Sequence, residues 1–169
     1  MTAAYLNKCE TGYTLIELIS VLVIAGILAA VAVPRFAGRD SFAEAGFFEQ
    51  SLAVVRYAQK LSIGSGCPIQ VSFSASGDSY ALTRWVGCAQ CVTPNPSTSP
   101  VADPSGSGTL AAVAPSGVDV GGNLDFYFDR IGRPHDLTCS PITNINLLRV
   151  NIGGRTLEVT PETGYVREN

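Results

Sequence analysis

The chain has 169 residues, 46% hydrophobic and 15% charged, and its 11 Lys+Arg against 14 Asp+Glu leave a formal net charge of −3. Ordinary soluble domains carry about 25% charged residues. The low charge and a mean hydropathy of +0.24 exclude a disordered solvating chain. The acidic balance argues against a strongly basic nucleic-acid binder.

The apolarity is concentrated near the start. Between Tyr13 and Pro34, 17 of 22 residues are apolar and Glu17 is the one charge. From Leu18 to Val33 the run carries no charge and is interrupted only by Ser20 and Gly26. With Tyr13 to Ile16 it reaches about 20 residues, enough for one helical crossing of a hydrocarbon core about 30 Å thick. A secretory signal would need a basic start and a small-residue cleavage site after the apolar core. Here only Lys8 precedes the run, Glu10 offsets it, and Pro34-Arg35-Phe36 follows. A plain anchor explains the length but not Glu17, because a carboxylate inside a span costs roughly 2.5–3.5 kcal/mol.

The stretch Gly12-Tyr13-Thr14-Leu15-Ile16-Glu17-Leu18, with the apolar run after it, resembles the N-terminus of type IV pilins and type II secretion pseudopilins. Tyr13 stands where that family usually has Phe, and the leader carries fewer basic residues than is typical. The resemblance implies a leader over residues 1–12, a prepilin peptidase cut between Gly12 and Tyr13, N-methylation of Tyr13, and a mature chain of 157 residues. It gives Glu17 a part in subunit assembly, pairing with the N-terminal ammonium of a neighbouring subunit. That role is physically sound, since a buried carboxylate is tolerable only when paired.

Further along, Pro34 and Gly38 are expected to interrupt or kink the helix. Ser41-Phe42-Ala43-Glu44 reads as a capping box with Ser41 as N-cap. A second helical stretch runs to about Leu61, with Phe48, Leu52 and Val55 on one face, and Ile63-Gly64-Ser65-Gly66 ends it. Ile69–Ser74 and Tyr80–Val86 alternate about Ser76-Gly77-Asp78-Ser79, a hairpin signal. A turn centred on Gly77-Asp78 pairs Phe73 with Leu82, Ile69 with Val86 and Cys67 with Cys88. The stretch 93–108 is rich in Pro, Ser and Gly and reads as loop. Leu110–Val120 is weak strand or loop. Leu124–Asp129, Leu147–Ile152 and Thr156–Thr160 are further strands, with turns at Gly153-Gly154 and Thr163-Gly164. The expected fold class is α+β: a long N-terminal helix, kinked near Pro34, packed on a C-terminal β-rich head of antiparallel sheets. The expected divisions are leader 1–12, helix 13–62 with its first half as membrane span or filament core, and periplasmic head 63–169.

Three stretches sharpen the resemblance. Arg56 to Leu61 with Cys67 to Val71, Phe126 to Pro134, and Thr156 to Val166 are similar to minor pilins of the GspH and FimT type. Pro34 to Phe42 is most similar to the MshC-type minor subunits of mannose-sensitive haemagglutinin (MSHA) pili. The resemblance implies a minor pilin that helps initiate assembly, at the pilus tip. Its alternatives are a GspH-like pseudopilin of type II secretion and a FimT-like DNA-binding minor pilin. The implied partners are prepilin peptidase, other major and minor pilins through their N-terminal helices, and an inner-membrane assembly platform. The implied location is a single pass of the bacterial inner membrane with the head in the periplasm, then the pilus or pseudopilus.

Cys9 lies in the leader; Cys67, Cys88, Cys91 and Cys139 remain for a compartment in which disulfides persist. The hairpin register favours Cys67–Cys88 and leaves Cys91–Cys139, because opposed strand residues approach the Cα separation a disulfide needs. Cys88–Cys91 with Cys67–Cys139 stays open. Cys88-Ala89-Gln90-Cys91 also admits zinc or redox chemistry, but it follows a strand and leads into a Pro-rich loop rather than a helix. No cofactor and no metal site is expected.

No catalysis is expected either. His135, the single histidine, sits between Pro134 and Asp136 and reads as an exposed turn residue. Asp125 and Asp129 read as surface charges flanking Phe126 and Phe128 rather than a catalytic pair. Arg130, Arg133, Arg149 and Arg155, with Arg167, are the candidates for a basic patch contacting DNA, set against scattered strand-edge and turn charges.

Overall fold

The computed structural model describes residues 12–36, 39–88, 97–106 and 108–169, with residues 31–36 and 39–40 given by backbone alone. The chain divides into two compact units, residues 1–39 and 40–169. The layout is α+β, an N-terminal helix followed by antiparallel sheets.

The first unit holds α1 (Leu15–Phe36), 22 residues long. The helix does not stop at Pro34. A proline so near the C-terminal end removes only one late backbone bond, which the helix tolerates better than an interior break. Gly38, the other expected breaker, lies outside the described residues.

The second unit takes in nearly all of α2 (Arg39–Ser65) and the strands. The helix already begins at Arg39, so Ser41 stands inside its first turn and is not the N-cap. Glu44 does not close a capping box; its Oε1 accepts a hydrogen bond from Gly154 N at 2.7 Å, tying α2 to a distant turn. At the other end α2 runs past Leu61 to Ser65. Ser62 and Ser65 hydroxyls bond back to the carbonyls of Gln59 and Leu61. Gly66, at φ 66°, ends the helix in the left-handed conformation that glycine adopts without penalty.

One sheet contains β1 (Ile69–Ser74), β2 (Ser79–Trp85), β3 (Thr98–Pro100), β4 (Ala111–Val113), β6 (Leu124–Phe128) and β7 (Pro134–His135). Its order is β3-β2-β1-β6-β7, with β4 also beside β2. The second contains β5 (Val120–Gly121), β8 (Arg149–Ile152), β9 (Arg155–Val159) and β10 (Val166–Glu168) in the order β10-β9-β8-β5. Short 3₁₀ turns occupy Val86–Cys88 and Ile145–Leu148. β3 lies within the stretch expected to be loop; it forms because its backbone completes the edge of β2 opposite Thr83–Trp85.

The β1–β2 hairpin is shifted two residues from the expected register. Val71 faces Leu82 and Phe73 faces Tyr80 across a four-residue turn, Ala75–Asp78. Asp78 takes a positive φ of 40° there, and its Oδ1 accepts from Val120 N at 2.9 Å. An even slip leaves every side chain on its own face, so the core assignment survives it.

Ile69, Val71 and Phe73 of β1, with Leu82, Phe126 and Phe128, join one core with Phe47, Phe48, Leu52, Val55 and Ala58 of α2 and with Val150, Ile152, Leu157, Val159 and Val166. The Phe47 ring meets Tyr80 at 5.6 Å, whereas Phe48 lies under the Arg155 guanidinium at 4.9 Å. The helix is thus held by both sheets through adjacent phenylalanines. Trp85 and Tyr127, buried and 4.4 Å apart, form a separate aromatic pair.

Candidate functional site

Gly12, Tyr13 and Thr14 precede the first turn of α1 and are exposed. Thr14 starts the helix. Its carbonyl accepts from Glu17 N and Leu18 N at 3.1 Å, and its hydroxyl accepts from Glu17 N at 3.3 Å. Thr14-Leu15-Ile16-Glu17 therefore has the spacing of a capping box, and Glu17 sits where the helix dipole favours an anion. The Gly12–Tyr13 bond falls just outside this cap, ahead of the helix. Among the described residues no side chain pairs with the Glu17 carboxylate.

From Tyr13 to Ala30 every residue is exposed, the apolar ones included. A helix that is apolar all round has its stable place inside other helices or in lipid, not in water. Among the described residues no helix is long and apolar enough to cross a membrane. α1 reaches 22 residues only with its last turn and a half included.

In the head, Cys67 and Cys88 form a disulfide with Cα atoms 4.5 Å apart. Strand register does not bring them together, because β2 ends at Trp85. The Val86–Cys88 turn, with Gly87 at φ 76° and Cys88 at φ 52°, folds the chain back to Cys67. The Cys67–Cys88 bond excludes the alternative pairing of Cys88 with Cys91 and Cys67 with Cys139. Cys139 is also disulfide-bonded; Cys91 and Cys9 lie outside the described residues.

His135 is not an exposed turn residue. It is half-buried in β7, stacks on the Tyr127 ring at 5.4 Å, and places Nε2 3.3 Å from Asp129 Oδ2. Asp129 also accepts from Ile131 N and Arg133 N, so its carboxylate organises the β6–β7 turn. Asp125 is exposed on β6, and desolvation raises its pKa. The two aspartates are not a facing pair. Among the described residues no cluster of three or more His, Cys, Asp or Glu could hold a metal.

The candidate arginines do not converge on one open surface. Arg149 and Arg167 both close on Glu158, Nε to carboxylate distances being 2.7 and 2.8 Å. Arg155 reaches Glu168 at 3.1 Å and Glu49 at 3.5 Å. Arg130 and Arg133 lie apart from these, exposed in the β6–β7 turn.

Glu158 had no signal in the sequence beyond its place in a strand. Its side chain is 0% exposed. Burial pushes its carboxyl pKa up, but hydrogen bonds from Arg167 and Arg149, and their charges, outweigh burial and hold it below the usual range. Gln59 was also missed. Its amide donates to Gly132 O at 3.1 Å and Thr163 O at 2.8 Å, clasping two turns to the end of α2.

Residues 7–33 match the family described as the prokaryotic N-terminal methylation motif. The chain is 36% identical over 86 residues to the type IV narrow pilus major component PilA5 of Thermus thermophilus. That alignment covers 48% of this chain and 74% of the relative. No solved structure matches. With its methylation motif at the start of an apolar helix, the chain belongs to the type IV pilin family.

Proposed function

We propose that this protein is a minor pilin whose role is mechanical, not catalytic. Prepilin peptidase cuts between Gly12 and Tyr13, and the Tyr13 amine is methylated. α1 then holds the chain in the inner membrane, with the head in the periplasm, until it joins other pilins in a filament. It acts near the tip, where it helps start assembly, and the pilus system it fits best is of the MSHA type.

The observation that carries this reading is the helix itself: apolar on every side, unpacked among the described residues, and bearing Glu17 in its first turn. In lipid that carboxylate is costly; beside a neighbour's ammonium it is paired. The pilus reading is favoured over DNA binding because Arg149, Arg155 and Arg167 are each engaged by a carboxylate.

Deleting the gene and counting surface pili tests the role. Loss of pili with the major pilin still made is the expected result. Normal pili that fail to adhere, or to take up DNA, would show a binding role instead.

A further inference from the structure

A strand at the margin of a sheet offers every second N–H and C=O to whatever lies beside it. Among the described residues, most margins of this head are closed or blunted. β10 gives Val166 O to the Arg56 guanidinium, at 3.1 and 3.3 Å. In β5, Val120 N is taken by Asp78 Oδ1 at 2.9 Å. β7 is bridged by Pro141, and Ile142 N bonds Pro134 O. In β3 the bonds at Ser97 and Val101 face β2 and turn Thr98 and Pro100 outward, where Pro100 has no N–H to give.

β4 is different. Leu82 N bonds Leu110 O at 2.9 Å and Ala114 N bonds Asp78 O at 2.6 Å, so alternate residues of this strand face β2. The residues between, Ala111 and Val113, turn their backbone groups away from it. Ala111 N folds back on Thr109 O at 2.8 Å. Ala111 O and both backbone groups of Val113 have no partner among the described residues. Leu110 to Ala114 carries neither charge nor proline, the devices that commonly protect an edge. Leu110, Ala112 and Ala114 are half-buried at the border of the core, whereas Val113 is 72% exposed. Ser79, Tyr80 and Ala81 with Ala111, Ala112 and Val113 line a hollow of about 320 Å³ there.

We propose that the β4 edge receives an extended, uncharged segment of a different protein as one more antiparallel strand. The residue opposite Val113 exchanges both backbone bonds with it, and the residue two further on donates to Ala111 O. Main-chain bonds of this kind supply the affinity, and alternate side chains supply the choice of partner. On one face the incoming side chains extend the core past Leu110, Ala112 and Ala114, so that face of the segment is apolar. On the other, a large side chain beside Val113 fills the hollow. On the pilus reading a second copy's β4 is not that strand, because joining like edges antiparallel turns one α2 end for end against the other, whereas chains in one filament run the same way.

The test uses the mature chain in detergent and a capped, uncharged peptide, Thr-Val-Thr-Val-Thr, with amide exchange read by NMR. At millimolar peptide, exchange at Val113 N–H should slow about tenfold, since a paired edge amide exchanges only when the added strand leaves. The same peptide with every backbone nitrogen methylated should give no slowing. Val113→Pro, which removes an outward N–H that β2 does not use, should abolish the peptide-induced shifts at Ala112 and Ala114. If that variant fails to fold, the methylated peptide on the native chain still decides. No slowing at Val113, equal slowing by the methylated peptide, or shifts retained in a folded Val113→Pro chain would each overturn the proposal. Slowing at Val113 that rises with protein concentration and needs no peptide would make the occupant a second copy and overturn it too. Each of these results leaves the filament role standing, because the count of surface pili tests that role separately.

Discussion

At the scale of single residues, two glutamates carry opposite lessons. Glu17 is a charge with no partner among the described residues, held in the first turn of a helix that carries no further charge before Arg35. Glu158 is a charge enclosed by two arginines and given no route to water. On the proposed function, the partner of Glu17 comes from another subunit. Glu17→Ala is therefore expected to leave cleavage at Gly12 and membrane retention intact while emptying the filament fraction of this chain; equal partition of variant and native chain into sheared pili would end the pairing role. For Glu158 the partner is internal. Glu158→Gln leaves Arg149 and Arg167 facing a neutral amide. The loss should be ~2 kcal/mol, below the ~3–5 kcal/mol of a fully enclosed pair because both arginines retain contact with water. Urea unfolding of the mature chain in detergent measures it.

At the scale of elements, the head is held by turns that return the chain to α2. Gly164 combines a φ of +68° with a position where any Cβ would overlap Gly132 O. Gly164→Ala should cost more than ~1 kcal/mol, since backbone strain and overlap add, and it should loosen the Gln59 clasp, visible as faster amide exchange at Gly132. The Cys67–Cys88 bond closes a separation of 21 residues around the whole β1–β2 hairpin. The paired change Cys67→Ser with Cys88→Ser should lower stability by about 2–4 kcal/mol, read as a shift in thermal midpoint with the core aromatic signal retained below it.

At the scale of the whole molecule, the response to acid follows from two carboxyls. Glu158 is held low against burial by Arg167 and Arg149. Asp136, though burial raises it, is lowered by its bonds from Thr138 and Ser140 and by the charge of His135. Groups depressed on folding contribute stability above their unfolded pKa, near 4.5 for Glu158 and 3.8 for Asp136, and lose it as pH falls through the folded values. Asp125, raised by burial, works in the opposite sense and offsets a part. The thermal midpoint should therefore hold from pH 7 to about 5 and fall below pH 4.5, and Glu158→Gln should flatten that fall. A midpoint unchanged down to pH 3 would contradict the assignment.

The sequence by itself determined whatever depends on neighbours along the chain. The apolar run, the lone Glu17, the cleavage motif and the alternation of Ile69 to Ser74 are local patterns, and they located α1, β1 and the core stripe of α2. The tertiary structure alone decided what depends on partners far away. Glu44 left its local cap for Gly154, because a turn more than a hundred residues on offered an unpaired N–H. His135 was drawn in by Tyr127 and Asp129, and Arg149, Arg155 and Arg167 were neutralised by Glu49, Glu158 and Glu168. The hairpin register lies two residues from the expected one, and Asp78 in its turn bonds Val120. Its disulfide still formed, because the positive-φ turn at Gly87 and Cys88 recovered the distance the register had lost. Hydrophobic periodicity is written residue by residue, whereas the pairing of polar groups is set only when burial forces each of them to find a partner.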